Sequence, residues 1–177
     1  MTMQPTTPTR TTQKEDEMES TQPTERMAPV RKRVVVDAPV EHAFRVFTER
    51  IGDWWPVKTH SVHKEKAQTA GLEPRLGGAV YELWPGGREE WGTITAWEPP
   101  HRLIYTWQPG HAVAEATEVE VRFTAQGGST LVELEHRGWE ARGERAAEIR
   151  AGYDTGWDPV LARYREAAAG AGPRSGT

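Results

Sequence analysis

Two histidines three residues apart, His60 and His63, follow a Trp54-Trp55-Pro56 run, and two further proton-moving groups, Glu82 and His136, sit among apolar residues later in the chain. Neutral imidazoles bind zinc, and a catalytic zinc takes three protein ligands with a fourth position open. His60 and His63 supply two; Glu65 or Glu73 would have to supply the third. Lys58, Lys64 and Lys66 crowd the same stretch and disfavour a dication, so no metal site is expected there. His136 ends the series Val132, Leu134, His136, whose period of two turns all three to one side of a strand. At the rim of an apolar pocket such a histidine could act as acid or base near neutral pH. Hydrogen-bonded within the fold it is a structural group, because buried polar groups are normally satisfied by neighbours. Glu82 lies in the strand-like run 79–84, where alternation does not decide its face. Facing inward, burial would raise its pKa and make it a general acid or an acceptor for a ligand hydroxyl. Facing outward, it is a surface carboxylate.

The aromatic residues are the second signal. Eight tryptophans stand beside three phenylalanines and four tyrosines. Each indole joins a large apolar face to one N–H donor, which suits cores and pocket walls alike. Trp54, Trp55, Trp91, Trp107, Tyr153 and Trp157 are the candidates for a pocket wall, with packing as the alternative role. Other chemistries are excluded. The chain has no cysteine, hence no thiolate nucleophile, disulfide or Cys-based zinc site. It has no phosphate-cradling glycine loop or dinucleotide fingerprint, and nothing demands a cofactor. A net charge of −4 gives no footprint for nucleic acid or an anionic membrane. No apolar run approaches the roughly 18 residues that span a bilayer, and residues 1–29 contain no apolar signal segment. A soluble, cytoplasmic protein is expected.

These residues need a scaffold. The 177 residues suit one domain. Residues 1–29 are rich in Thr, Pro, Gln and charge, which predicts a disordered tail, with the domain over 30–170 and a flexible end at 171–177. The β-branched run 31–37 predicts a strand. A helix then starts with Pro39 at its first position and carries Ala43, Phe44, Val46, Phe47 and Ile51 on its apolar stripe; Gly52 is expected to end it. From Leu76 to His136 strands alternate with turns: 79–84, 90–97, 103–107, 117–124 and 130–136. A long helix over 143–168 follows, with Ile149, Tyr153, Trp157, Leu161 and Tyr164 three or four apart. Gly152 and Gly156 beside that stripe let the helix approach a surface closely or leave room beneath it. Pro159 should bend it locally. One long amphipathic helix laid across a curved antiparallel sheet buries the apolar face of each, and the concavity between them is filled or holds a ligand.

The stretches WGTITAWEPPHRLIYTW (91–107), TEVEVRF with GGSTLVELEHRGW (117–139) and GYDTGWDPVLARY (152–164) resemble the heat-shock protein 90 ATPase activator homologue-like family. That family belongs to the START/polyketide-cyclase superfamily, with the helix-grip fold also seen in the birch pollen allergen. The resemblance runs from about Val34 to Ala168. Its most specific parts are Trp97-Glu98-Pro99-Pro100, Arg102-Leu103, Thr117-Glu118-Val119 and His136-Arg137-Gly138-Trp139. LEPRLGGAVYEL with EEWG (72–92) further resembles a bacterial branch in which a glutamate like Glu82 precedes a W-G pair like Trp91-Gly92. It implies an α+β helix-grip, START-like fold with a curved antiparallel sheet wrapped around the long C-terminal helix. The expected function is non-catalytic binding of a small hydrophobic or amphipathic molecule between sheet and helix. The expected ligand-binding residues are Trp54, Trp55, Glu82, Trp91, Trp107, His136, Tyr153 and Trp157. One alternative is a cyclase- or hydrolase-like enzyme using Glu82 and His136 as acid and base. Another is a co-chaperone that binds a protein partner. A monomer and a homodimer are both compatible with the sequence.

Overall fold

The computed structural model describes residues 26–169. The expected tail lies outside them as far as residue 25, as does the expected flexible end; of the tail's last residues, Met27 packs against the core. The chain runs β1 (Val30–Val36), α1 (Val40–Thr48), α2 (Ile51–Trp54), β2 (Thr69–Leu72), β3 (Ala79–Trp84), β4 (Gly87–Glu98), β5 (Arg102–Trp107), β6 (Thr117–Gln126), β7 (Ser129–Arg137) and α3 (Ala146–Ala169). The strands form one antiparallel sheet in the order β1-β7-β6-β5-β4-β3-β2. Irregularities in register fall between Val80 and Tyr81 and between Ile94 and Ala96, and such bulges bend a strand and raise its twist. The sheet curves, and α3 lies across its concave face. This is the helix-grip architecture that the resemblance implied.

The alternation of β6 sorts its side chains as the sequence predicts. Val119, Val121 and Phe123 are buried on the inner face, and their neighbours Glu118, Glu120 and Arg122 face outward. Glu120 is nonetheless buried, because Arg102, Arg122 and Arg137 close over it. Burial pushes its carboxyl pKa up, but the hydrogen bonds and charges of these guanidiniums prevail and hold it down at about 2. Inside, Phe44, Phe47, Trp54, Phe123 and Tyr164 meet edge-on or tilted at centroid distances of 5.1–5.2 Å or, for Phe47 with Phe123, 5.6 Å. This joins α1, α2, α3 and the sheet in a single core.

Pro39 is the extended residue that precedes α1 rather than its first helical position, and three further boundaries differ from the sequence expectation. Helix α1 stops at Thr48, whose hydroxyl donates back to the Phe44 carbonyl at 2.8 Å, a bond that competes with helix continuation. Gly52 lies inside α2 rather than ending α1. A Cβ there would stand 2.5 Å from the Thr69 hydroxyl and 3.0 Å from the Ala70 carbonyl. Its small size therefore lets α2 seat on β2, a short edge strand that the sequence pattern did not mark. Helix α3 begins at Ala146 rather than Gly143, because Gly143 takes a φ of 60° that no right-handed helix accommodates. Pro159 sits within α3 without dividing it. No helix among the described residues is long and apolar enough to cross a membrane.

Candidate functional site

A cavity of about 510 Å³ opens between α3, the end of β5 and the loop that follows α2. Its volume falls within the range of small-molecule sites. Trp55, Trp107, Tyr153 and Trp157 wall it, Ile149 and Val160 extend the apolar surface along α3, and residues 59–62 with Lys64 form the loop side. Gly152 and Gly156 lie on the helix side of the cavity, and a Cβ built on either meets no atom within 4 Å. Of the two roles open to these glycines, the structure shows the second: they leave room.

The remaining expected site residues stand behind this wall or away from it. Trp91 is fully buried and packs 5.4 Å from both Trp55 and Trp107. Its Nε1 donates to Glu82 Oε2 at 2.7 Å. Glu82, also fully buried, accepts from the backbone N–H groups of Val62 and His63 at 2.8 and 2.9 Å and pairs with His63 Nδ1 at 2.6 Å. Burial pulls its pKa upward, yet these four donors outweigh burial and hold it below the usual carboxylate value. Glu82 is thus an ionised anchor that fastens the loop to the sheet, not a proton-bearing acid. Trp54 packs in the main core, where its Nε1 donates to the Val46 carbonyl at 2.9 Å.

His136 faces inward, as the period of two predicts, and is fully buried. Trp157 Nε1 donates to its Nδ1 at 3.1 Å. An indole N–H only donates, so Nδ1 is unprotonated and Nε2 carries the hydrogen. Nε2 then donates to Thr117 Oγ1 at 2.7 Å, and the Thr117 hydroxyl in turn donates a hydrogen bond to the Trp107 carbonyl at 3.0 Å. Burial, with help from the charge of Arg142, lowers the His136 pKa to about 3. The ring is a neutral joint that ties two cavity-wall tryptophans together, and both of its nitrogens are occupied.

The two histidines of the opening stretch part company. His63 stacks on Trp84 at 4.1 Å and bonds Glu82. His60 lies on the cavity wall with its Nδ1 2.7 Å from the Thr59 hydroxyl. Burial and the nearby charge of Lys64 lower its pKa, against a smaller opposing pull from the Gly156 carbonyl. The sequence offers His60 only as a metal ligand; its place on the wall follows from a loop path that residue spacing does not encode. The cavity-lining Ile149 was visible as part of the helical stripe, whereas Val160 and Lys64 carried no separate signal.

Comparison with known proteins places this geometry in a family. Residues 37–168 match the model described as Activator of Hsp90 ATPase homolog 1-like protein, and the chain belongs to that family. Among solved structures, the chain is similar to the anthrahydroquino-γ-pyrone synthase Txn09, complexed with SUM, at 39% identity, a TM-score of 0.57, and coverage of 80% of this chain and 97% of that one. It is also similar to the self-sacrificing resistance protein CalC from Micromonospora echinospora, at 28% identity, a TM-score of 0.63, and coverage of 84% and 98%. The Aha1 dimer from Colwellia psychrerythraea shares the fold at 18% identity and a TM-score of 0.57, over 82% of this chain and 100% of that one. No curated protein matches the chain significantly.

Proposed function

We propose that the protein binds a small, largely apolar ring-bearing molecule in the cavity between α3 and the 59–64 loop. The supporting observation is the combination of four aromatic walls with two helical glycines that keep the space between them open. Each glycine weakens α3 by about 1 kcal/mol relative to alanine, a loss with no packing benefit in the fold itself. Trp55, Trp107, Tyr153 and Trp157 offer ring faces to an aromatic ligand, in keeping with the similarity to a γ-pyrone synthase. The binding reading needs no proton transfer from Glu82 or His136, whose lone pairs are taken up inside the protein.

Catalysis on the bound molecule is the second reading, favoured by the 39% identity to a synthase. On this reading the acid–base group is His60, whose imidazole lies on the cavity wall. A co-chaperone role finds support only in the family's description. A thermal-shift screen against fused-ring aromatics, sterols and fatty acids, read in parallel by tryptophan quenching, tests the proposal. Saturation at about a hundred times Kd adds roughly 2.7 kcal/mol of stability, and ligand against Trp55, Trp107 and Trp157 quenches their emission. Flat melting temperatures and unquenched fluorescence across the panel would remove the proposal.

A further inference from the structure

The cavity has an electrostatic polarity that its apolar walls conceal. Although the whole chain carries a net charge of −4, no aspartate or glutamate lines the cavity among the described residues, while Lys64 does. Behind the Trp107–Tyr153 wall lies Arg142, which is only 6% exposed. Its Nη2 donates to the Trp107 carbonyl at 3.2 Å, but its Nε and Nη1 find no partner among the described residues, and no carboxylate pairs with it there. A guanidinium stays charged under all ordinary conditions, and a buried charge without a counter-charge is strongly unfavourable. Proteins keep such groups where something else supplies the opposite charge.

The wall beside Arg142 is arranged for the same sign. Trp107 Nε1 donates to the Tyr153 phenolic oxygen at 2.9 Å. That leaves the Tyr153 hydroxyl hydrogen with no acceptor among the described residues. Burial raises the Tyr153 pKa, and the Trp107 N–H and the Arg142 charge both act against that rise. An oxygen placed here meets one O–H donor and a positive field, with no competing acid.

We propose that the Tyr153 end of the cavity is an anion subsite: it takes a ring-bearing ligand with an ionised oxygen, a carboxylate or an acidic phenol, which accepts from the Tyr153 hydroxyl and offsets the buried charge of Arg142. This rests on the ligand-binding reading and narrows it to amphipathic acids. Arg142 is a specificity-determining residue that acts from behind the wall. The apolar rings of the ligand lie against Trp55 and Trp157, with Gly152 and Gly156 giving them space.

The test is a tryptophan-quenching titration of the full chain with two matched probes, anthraquinone-2-carboxylate and anthraquinone-2-carboxamide, at pH 7. The carboxylate should bind about tenfold or more tightly than the neutral carboxamide, as a charge-assisted contact in a buried site requires. In Arg142→Met the two affinities should converge to within about twofold, with the carboxamide value unchanged. The same variant, free of ligand, should melt about 2–4 °C higher, since an unpaired buried charge has been replaced by an apolar side chain. Tyr153→Phe should lose part of the preference. Equal affinities in the unaltered protein would overturn the anion subsite while leaving the binding reading intact. A preference that survives Arg142→Met but vanishes in Lys64→Met would move the charge recognition to the cavity mouth and overturn the assignment. A lower melting temperature in Arg142→Met would make the residue structural and overturn it as well. If neither probe binds, the subsite for ring-bearing acids is overturned, and the panel of fused-ring aromatics, sterols and fatty acids decides the ligand-binding reading by itself.

Discussion

Replacing Gly152 and Gly156 by alanine should make the protein more stable and a worse binder. Both glycines lie within α3 at helical dihedrals, and a Cβ on either meets nothing within 4 Å. No strain opposes the change, and the propensity gain is about 1 kcal/mol per site. The double variant should therefore gain about 2 kcal/mol, which for a domain of this size is a rise of roughly 4–8 °C in Tm. Gly156→Leu goes further, because four carbons then project into the cavity of about 510 Å³ between Trp55 and Trp157. Stability should rise by at least the alanine increment, from added apolar burial against those rings. Ligand affinity should fall tenfold or more. Differential scanning fluorimetry gives the first quantity and quenching by anthraquinone-2-carboxylate the second. A lower Tm in the alanine variants would show that the space beneath α3 is not open. An unchanged affinity in Gly156→Leu would place the ligand elsewhere and refute the cavity assignment.

Three further outcomes follow from the buried polar groups. Glu82→Gln puts an NH₂ where two of four donors now point; at 1–3 kcal/mol for each unsatisfied group, urea unfolding should register a loss of about 2–6 kcal/mol, and a variant of unaltered stability would contradict the anchor role. His136 has a folded pKa of about 3, below its ordinary 6.5, so the folded state binds fewer protons between those values. Its stability contribution is whole above pH 6.5 and is lost as pH falls toward 3, amounting to about 1.5 kcal/mol between pH 6.5 and pH 5. In His136→Gln the difference in unfolding free energy between pH 7 and pH 5 should shrink by most of that amount, the remainder including the same-signed share of His60; an undiminished difference would show that His136 is not the group responsible. Tyr164→Phe deletes a buried bond to the Ala43 carbonyl at 2.8 Å and should lower stability by about 0.5–1.5 kcal/mol without altering probe affinity.

The periodicities made most of the scaffold legible. The alternation in β6 and β7 and the three-to-four spacing of α3 record which faces are buried, and burial is what selected those residue types. The strand β2 left no such record, because its four residues Thr69–Leu72 include Gly71 and lie at the edge of the sheet. The candidate site was half legible for a related reason. Trp55, Trp107, Tyr153 and Trp157 reach the cavity, whereas Trp54, Glu82, Trp91 and His136 stand outside its wall. Residue type marks both sets as interior, but which interior residue meets a void and which meets a neighbour depends on loop path and on the small residues opposite. Arg142 was the least visible, for in Glu140-Ala141-Arg142-Gly143-Glu144-Arg145 it reads as one charge in a solvated run. Only the turn that precedes α3 folds it inward.

The surplus of tryptophan has an explanation that also limits what the cavity recognises. Six of the eight indole N–H groups donate within the protein: Trp54 to Val46, Trp55 to His60, Trp91 to Glu82, Trp107 to Tyr153, Trp139 to the His136 carbonyl and Trp157 to the His136 ring. Each bond fixes the tilt of its ring, and the wall rings Trp55, Trp107 and Trp157 pack against one another at 5.5–6.3 Å. Their donors are spent on position, so a ligand meets ring faces and little N–H. Contact with such faces rewards apolar area and shape, not the number of acceptors on the ligand. Extra carbonyls on a fused-ring probe should then leave affinity nearly unchanged wherever they fall away from Tyr153. Quenching titrations with anthracene-2-carboxylate and anthraquinone-2-carboxylate check this, with an expected difference below about fivefold, a bound set by the few tenths to one kcal/mol of a weak polar contact. A hundredfold gain for the quinone would mean that the wall donors are free to turn toward the ligand, and that the tryptophans act as hydrogen-bonding groups as well as walls.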